Sequence, residues 1–574
     1  MKQTITLILL LVVFTAQAQT NTWTGTFGSD WNTNGNWSLG HVPTPAEDVV
    51  IVNPINGNYS AVINFGYNAS VHNLTVNASP CGIFIYGGSL TASGTIINHG
   101  VIGIDNNNTG GLVQTATSTY SNTSTGFVEF VFYDANPDLG YRDVSFPLGG
   151  TINDIVVNTF GGFTPTGNDG VQCWYNYNPY PNVQVYDEAL QIVDGAYNEG
   201  WLSYTGTSNP LSPMKGIAIR YTPSSNINYF FQDGVPNNGP QSTTITRTAS
   251  PAHPTEEGWN LVGNPYPSCI DWPAVASLNP GITGSCYVFH STGLFTGYWG
   301  AINSAGVFTG GLTSATLATA QGFFVRKSSV GSGPFVMDNS VRTNSPASSF
   351  KTEQLTNEIR LTLSDGHNTD EIVSYTDVTA SSGYDSGLDA EKIPAGSTVY
   401  ISFALQGNEY AINALDAITE QTELPLVLWA QNTGNYTINA SALNITGLTA
   451  YLKDAQTNTL TDLSAGAVSV SLTGAQTYSG RYSIVFSANS VSGIKEQDLP
   501  VNIYASGNTV YINRIANTKA HVSITNLLGQ QIAETPIATD KTALKLNSTD
   551  ATMYVIVKLT EGSKVSVAKV LITN

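Results

Sequence analysis

Residues 49–104 read VVIVNPINGNYSAVINFGYNASVHNLTVNASPCGIFIYGGSLTASGTIINHGVIGI, and the folding of this stretch decides what the rest of the chain is built on. Its apolar residues come in short clusters: Val49-Val50-Ile51, Val62-Ile63, Val71 with Leu74 and Val76, Ile83 with Ile85, Leu90, Ile96-Ile97, and Val101 with Ile104. The clusters recur roughly every 8 to 12 residues and are broken by Gly and Asn, the spacing of short strands joined by tight turns. Stacked coils explain such a run economically, because each buries its apolar face on the next. A stack of that kind needs caps at its ends. Only a few coils fit in about 90 residues, so a small β-sandwich is the other arrangement open to this stretch.

Immediately before it, residues 21–52 read NTWTGTFGSDWNTNGNWSLGHVPTPAEDVVIV, with Trp23, Trp31 and Trp37 set among Gly, Asn and Asp. Rigid aromatics on a turn-rich polar segment can form a stacking platform for sugars, which makes Trp23, Trp31 and Trp37 candidate ligand-binding residues. They can also cap the open end of a β-stack, and the cap is the favoured reading. The string W-x-G-x-x-x-S-x-W from Trp23, followed by N-W-x-x-G-x-V-P-x-x-x-x-D-V-V-I from Asn36, resembles the opening segment of many adhesin-like surface proteins of Bacteroidetes. In those proteins it opens a right-handed parallel β-helix, so the resemblance implies one over residues 19–115.

Composition points to extracellular β-structure. Only 11% of the 574 residues are charged, well under the usual quarter, whereas Gly (55), Pro (26) and Tyr (28) are plentiful. The balance of 21 basic and 40 acidic residues gives −19, with no basic cluster, so phosphate-neutralising contacts have no source and nucleic acid is disfavoured as a partner. Acidity of this size serves solubility or Ca²⁺ binding, and solubility is the favoured use. Met1-Lys2, the apolar residues 5–14 and Ala16-Gln17-Ala18 have the form of a signal peptide, so export and a mature start at Gln19 are expected. No later segment reaches the roughly 20 apolar residues of a transmembrane helix.

Between Leu112 and Asn344 the sequence repeats itself. Gly140-Tyr141-Arg142-Asp143-Val144-Ser145-Phe146-Pro147 matches Gly258-Trp259-Asn260-Leu261-Val262-Gly263-Asn264-Pro265; Cys173-Trp174-Tyr175 matches Cys286-Tyr287-Val288-Phe289. Gly200-Trp201 then matches Gly297-Tyr298-Trp299, Met214-Lys215-Gly216 matches Ala320-Gln321-Gly322, and Phe230-Phe231-Gln232-Asp233 matches Phe335-Val336-Met337-Asp338. One fold used twice, over 116–240 and 241–344 and packed as a pair, is expected. GWNLVGNPYPSCIDW and AQGFFVRK in the second copy resemble a module of Bacteroidetes secreted proteins that has no assigned catalytic role. The aromatic excess, Trp299 included, serves either core packing or a glycan-binding face, and packing is favoured. Cys269 and Cys286 are the favoured pair if a disulfide forms, with buried thiols as the other reading.

After a polar linker near 344–349, strands separated by Gly, Asn and Asp predict a β-sandwich of about eight strands over 345–490. It resembles the sandwich that often precedes the sorting domain of the same secreted family. The tail, 499–574, predicts a small antiparallel sandwich. Its patterns V-x-I-Y-x-x-G-N-x-V from Val501, V-x-I-x-N-x-x-G-Q from Val522 and M-Y-V-I-V-x-L-x-x-G from Met553 resemble the C-terminal type A sorting domain of the type IX secretion system of Bacteroidetes. The family usually has Gly before the Tyr of its penultimate strand, where this chain has Met553. The resemblance implies the type IX machinery as a partner, delivery to the outer surface or medium, and cleavage or surface attachment of the domain.

Chemistry is sparse. Seven histidines fall in different modules, without HExxH or another metal-ligand spacing, and no GxSxG elbow, Walker loop or dinucleotide fingerprint is present. No catalytic residue and no cofactor is assigned. Asp365-Gly-His-Asn-Thr-Asp370-Glu371 could gather oxygens for Ca²⁺, but a solvated hairpin turn is favoured. Within the expected β-helix the acids are Asp30, Glu47, Asp48 and Asp105, which lends little support to a catalytic carboxylate pair. The sequence therefore reads as a multidomain all-β adhesin-like or glycan-binding protein with extracellular glycans or surface proteins as partners. A polysaccharide lyase or glycosidase and a structural surface component are the alternatives.

Overall fold

The computed structural model describes residues 18–52, 60–77, 82–106, 111–123, 126–134, 140–149, 181–190, 200–204, 212–220, 228–250, 254–293, 296–344, 355–393, 397–488, 501–514, 519–546, 552–562 and 564–573. The signal-peptide expectation and Cys173-Trp174-Tyr175 lie outside them. The chain divides into two compact units, Met1–Ala488 and Asn489–Asn574. The architecture is all-β, and the one α-helix among the described residues, Trp272–Leu278, is short and capped by Asp271. No helix among them is long and apolar enough to cross a membrane.

The opening stretch forms stacked coils, not a sandwich. Successive strands visit three parallel sheets in turn. The first sheet holds Thr20–Thr22, Asp48–Ile51, Leu74–Val76, Thr95–Asn98 and Thr119–Asn122. The second holds Ala61–Ile63, Gly82–Tyr86, Val101–Asn106 and Phe127–Asp134; the third holds Asn68–Val71, Ser89–Ala92 and Gly111–Gln114. Register stacks like on like: Ala61, Ile83, Ile102 and Val128 make one buried column, and Ile63, Ile85, Ile104 and Phe130 the next. Each Val, Ile or Phe side chain removed from water contributes about 1.5–3 kcal/mol, so a column holds its coils together without long-range sequence signals. The coils continue past residue 115, the boundary expected from sequence, because Phe127–Asp134 adds a further rung to the second sheet.

Both ends are covered. At the start, Trp23 N–H donates to Val50 O (2.9 Å) and Trp31 N–H to Val62 O (2.9 Å), placing the tryptophans over the first coil. At the other end Asn228–Gly234, from the close of the first repeat, pairs antiparallel with Phe127–Asp134. Leu112 N–H donates to Pro267 O (2.7 Å), while Asn339 and Asn238 side chains donate to Thr115 O and Ser118 O.

The two repeats build sheets of the same order. In the first, Arg142–Val144, Ile217–Ile219, Val183–Tyr186 and Trp201–Ser203 are neighbours in that sequence, all antiparallel. In the second, Trp259–Gly263, Gly322–Lys327, Ile282–Ser291 and Gly297–Ile302 follow the same order and direction. Contacts between the sheets are reciprocal: Val144 bridges Gln321 as Lys215 bridges Val262, and Ser145 N–H donates to Ala320 O as Gly263 N–H donates to Met214 O. The matched glycines make the approach possible. A Cβ on Gly322 would lie 2.7 Å from the Asp143 carbonyl carbon, and one on Gly216 would lie 2.6 Å from Val262 O.

Residues 355–488 depart from the expected eight-strand sandwich. One continuous sheet runs from Thr459–Asp462 through eight strands to Val468–Leu472, and Ala390–Glu391 pairs onto it. Its two edge strands flank the single turn Leu463–Ala465, so the sheet curls around one core that includes Leu361, Ile401, Leu426 and Ile484. Irregular register at Arg360/Leu361 and Leu426/Val427 supplies the bends that let long strands wrap. This barrel is joined to the second repeat through backbone. Ser304 N–H donates to Gly387 O, Gly387 N–H donates to Thr283 O, and a Cβ on Gly284 would stand 2.5 Å from Gly387 Cα.

The second unit is a small antiparallel sandwich. Val501–Ser506, Thr509–Arg514 and Lys541–Lys545 form one sheet; Gln531–Ile537, Ala520–Asn526, Thr552–Glu561 and Lys564–Thr573 form the other. Val522, Ile524, Val555, Val557 and Leu559 alternate into the core. Gln531–Ile537 was not legible as a strand because its sequence, QIAETPI, lacks that alternation.

Candidate functional site

The tryptophans of the opening segment are not a ligand platform. Trp23 and Trp31 are 0% exposed and Trp37 is 3%, with Trp37 edge-on to both neighbours at 5.0 and 4.5 Å and its Nε1–H donating to Trp31 O. A ring without an open face cannot stack on a sugar, so they serve as the cap. Trp299 is half-buried, packed against Phe289 at 5.0 Å and Phe324 at 5.4 Å beside Trp201. Cys269 and Cys286 are two separate buried thiols, not a bridge, and burial pushes the Cys286 thiol up. Asp365 is occupied by its own turn, accepting from the backbone N–H of His367 and of Asn368 and from the Asn368 side chain. Asp370 and Glu371 turn elsewhere, to Lys392 and Arg360. Among the described residues no group of His, Cys, Asp and Glu could hold a metal ion.

The structure instead gathers aromatics and acids on the outer face of the second β-helix sheet. In Gly82–Tyr86, Ile83 and Ile85 point into the core, which leaves Phe84 and Tyr86 outside. Their rings are nearly parallel, 14° apart with centroids at 6.1 Å. Phe84 lies across the next rung, where a Cβ on Gly103 would be 2.4 Å from its Cδ1; only glycine leaves room for the ring there. Phe65, at the preceding corner, leans over Gly87 and is 71% exposed, while Tyr86 is 43% exposed. The three rings form a shelf along one side of the coil stack.

Acids continue the same face. Asp105 is opposite Tyr86, and Glu129, opposite Gly103, has Asp233 of the capping strand across from it. Burial, then Asp233, then Asp105 raise the Glu129 pKa above the ordinary carboxylate value. Burial, Asp105 and Glu129 likewise raise Tyr86. Three carboxylates on adjacent strands beside an aromatic shelf can accept hydrogen bonds from hydroxyl-rich ligands laid across the rings. Of these residues only Asp105 stood out in the sequence as an acid of the β-helix. Phe84 and Tyr86 carry the outward phase of the alternation that marks their strand, which was the available signal, whereas Phe65 sits in a turn outside that alternation. Asp233 carried none, because it is over 100 residues from Glu129 in the chain.

The family model of a domain of unknown function, DUF8693, matches residues 22–486, most of the chain, so the chain belongs to that family. No curated protein matches it. Among solved structures it is similar to a chain described as "Biofilm associated protein - BSP domain", at 10% identity over 77% of this chain and 92% of that one, with a TM-score of 0.12. It is also similar to a Salmonella alpha-2-macroglobulin reacted with methylamine, at 7% identity over 77% of this chain and 33% of that one, with a TM-score of 0.13. Scores this low carry no statement about this chain.

Proposed function

We propose that this DUF8693 protein is an adhesin-like glycan-binding protein of the cell surface or medium, exported as type IX secretion cargo through its C-terminal sandwich. The observation that carries the binding role is the shelf of Phe65, Phe84 and Tyr86 on an open β-helix face. Flat exposed aromatics bury the apolar face of a sugar ring, and adjacent carboxylates accept from its hydroxyls. Support for the export role comes from the sorting-domain patterns and from the tail forming a compact unit of its own.

The test is a glycan-array screen on the mature chain, with product analysis of every bound polysaccharide. Binding without cleavage, lost in Phe65→Ala and Tyr86→Ala with an unchanged unfolding midpoint, supports the reading. Binding that survives both substitutions moves the ligand off the shelf and overturns it. The three carboxylates favour a second reading, cleavage of the polysaccharide lying on the shelf. New chain ends that vanish in Glu129→Gln would establish it. Self-association with no glycan bound would favour a structural surface role.

A further inference from the structure

Where the second repeat meets the barrel, far along the chain from the aromatic shelf, the two border a half-open cavity of about 190 Å³. Its lining includes Trp259 and Arg326 from the repeat and Glu391, Lys392, Tyr400 and Glu409 from the barrel. Open on one side, it has room for one small polar group.

Hydrogen bonding within this lining is lopsided. Each nitrogen of the Arg326 guanidinium is engaged, by Glu257 O, Glu391 and Pro254 O. Trp259 Nε1–H donates to Thr255 O, and Lys392 Nζ donates to Asp370 Oδ1 (2.6 Å) and Glu371 O. Tyr400 O–H and Ser402 O–H both donate to the same oxygen, Glu409 Oε2. Arg326 likewise takes only Glu391 Oε2. Each cationic nitrogen thus already has a partner within the protein, while Glu391 Oε1 and Glu409 Oε1 remain as acceptors. Charge agrees: Arg326 is paired with Glu391, and Lys392 with Asp370 behind the lining, which leaves Glu409 as the lining carboxylate without a cationic partner among the described residues. The cations are withdrawn, with Arg326 at 7% and Lys392 at 3% side-chain exposure against 23% for Glu391.

We infer that this cavity binds a primary ammonium group, held between the second oxygens of Glu391 and Glu409. An ammonium brings three donors and one positive charge to a site offering acceptors and one excess negative charge. A carboxylate or sulfate ligand would meet the like charge of the more exposed Glu391, with Arg326 and Lys392 withdrawn and already paired. Gln406 (φ 53°) and Gly407 (φ 84°) form the tight turn that brings Glu409 to the rim, so the acceptor is held by a rigid hairpin.

Isothermal titration of the mature chain with glucosamine, N-acetylglucosamine and glucuronate tests this. Glucosamine should bind, with affinity falling on added salt, and the other two should bind at least tenfold more weakly, because acetylation removes the charge and keeps the ring. Glu409→Gln, which retains an acceptor for Tyr400 and Ser402, should weaken glucosamine at least tenfold at an unchanged unfolding midpoint. Glu391→Gln should do the same, and if it unfolds the chain by stranding Arg326, the Glu409 variant alone decides. Equal binding of N-acetylglucosamine, preference for glucuronate, glucosamine binding indifferent to Glu409→Gln, or no glucosamine binding at millimolar concentration would each overturn the assignment. The aromatic shelf stands or falls separately, through Phe65→Ala and Tyr86→Ala.

Discussion

Removing the guanidinium of Arg342 should loosen the closed end of the β-helix more than any surface substitution. Arg342 is 8% exposed, and no carboxylate among the described residues pairs with it. Its Nη2 donates to Leu112 O (2.5 Å) and its Nε to Ser268 Oγ (3.1 Å). Nη1 reaches Asn339 Oδ1 (3.2 Å), Asn238 Oδ1 and Gln114 Oε1 (both 3.4 Å), and the plane lies 4.8 Å from the Tyr266 centroid. Burial without a counter-charge lowers its pKa to about 9, so the cation itself is costly. Opposing that, a charged hydrogen bond contributes about 1.5–3 kcal/mol, and an orphaned buried acceptor costs about 1–3 kcal/mol. Three good contacts outweigh the relief of desolvation, so Arg342→Met should lose about 3–5 kcal/mol, in the range for breaking one side of a buried polar set. Arg342→Lys keeps the charge but not the fork and should lose about half as much. Because a chain of several modules does not unfold in two states, the assay is hydrogen exchange of amides 111–118, read beside urea unfolding. About 3 kcal/mol of local loosening corresponds to roughly 100-fold faster exchange. If Arg342→Met exchanges at the wild-type rate and unfolds at equal or higher urea, the cation is a burden rather than a fastener, and the reasoning fails.

Other outcomes follow from the same structure. Trp31→Ala should destabilise by about 3–5 kcal/mol, as removal of a fully buried large aromatic does, and should raise exchange in the first coil, read at residues 61–63. Because Glu129 has a raised folded pKa, its favourable contribution is present below its unfolded value of about 4.3 and is lost as pH rises through the folded one. Glu129→Gln should therefore match wild type near pH 4 and exceed it in unfolding midpoint at neutral pH; equal midpoints throughout would contradict this. Asp143, buried, is pushed up to about 7 by desolvation, against about 3.9 when unfolded, so its contribution to wild-type stability should fall as pH rises from about 4 and level off above about 7. Asp143→Asn should flatten that decline between about pH 4 and 7 in urea unfolding.

Much of the architecture was readable because its signals are local. Alternation at Ile83, Ile85, Ile102 and Ile104, with Gly and Asn between runs, specifies short strands whose apolar sides must meet. The tail read as a small sandwich for the same reason, and only the strand without alternation, Gln531–Ile537, escaped. Matched residues of the repeats also predicted one fold used twice, and the two sheets share strand order and reciprocal contacts. The barrel read as a sandwich because alternation says which side of a strand is buried and not whether its sheet closes.

Sites were another matter. The sequence by itself determined an acidic, glycine-rich, all-β chain with short strands at its start, stacked coils favoured over a sandwich there, and a small C-terminal sandwich, since burial periodicity and turn residues act over a few positions. It could not say whether Trp31 faces sugar or core, because an aromatic among turn residues satisfies either environment; only the coil beneath it made burial the lower-energy choice. Tertiary structure alone brought Asp233 opposite Glu129, Arg342 to Leu112 and Glu391 to Arg326. Each pair is separated by tens to hundreds of residues, and its meeting depends on how capping strands and curled sheets close over one another, a condition that no local pattern records.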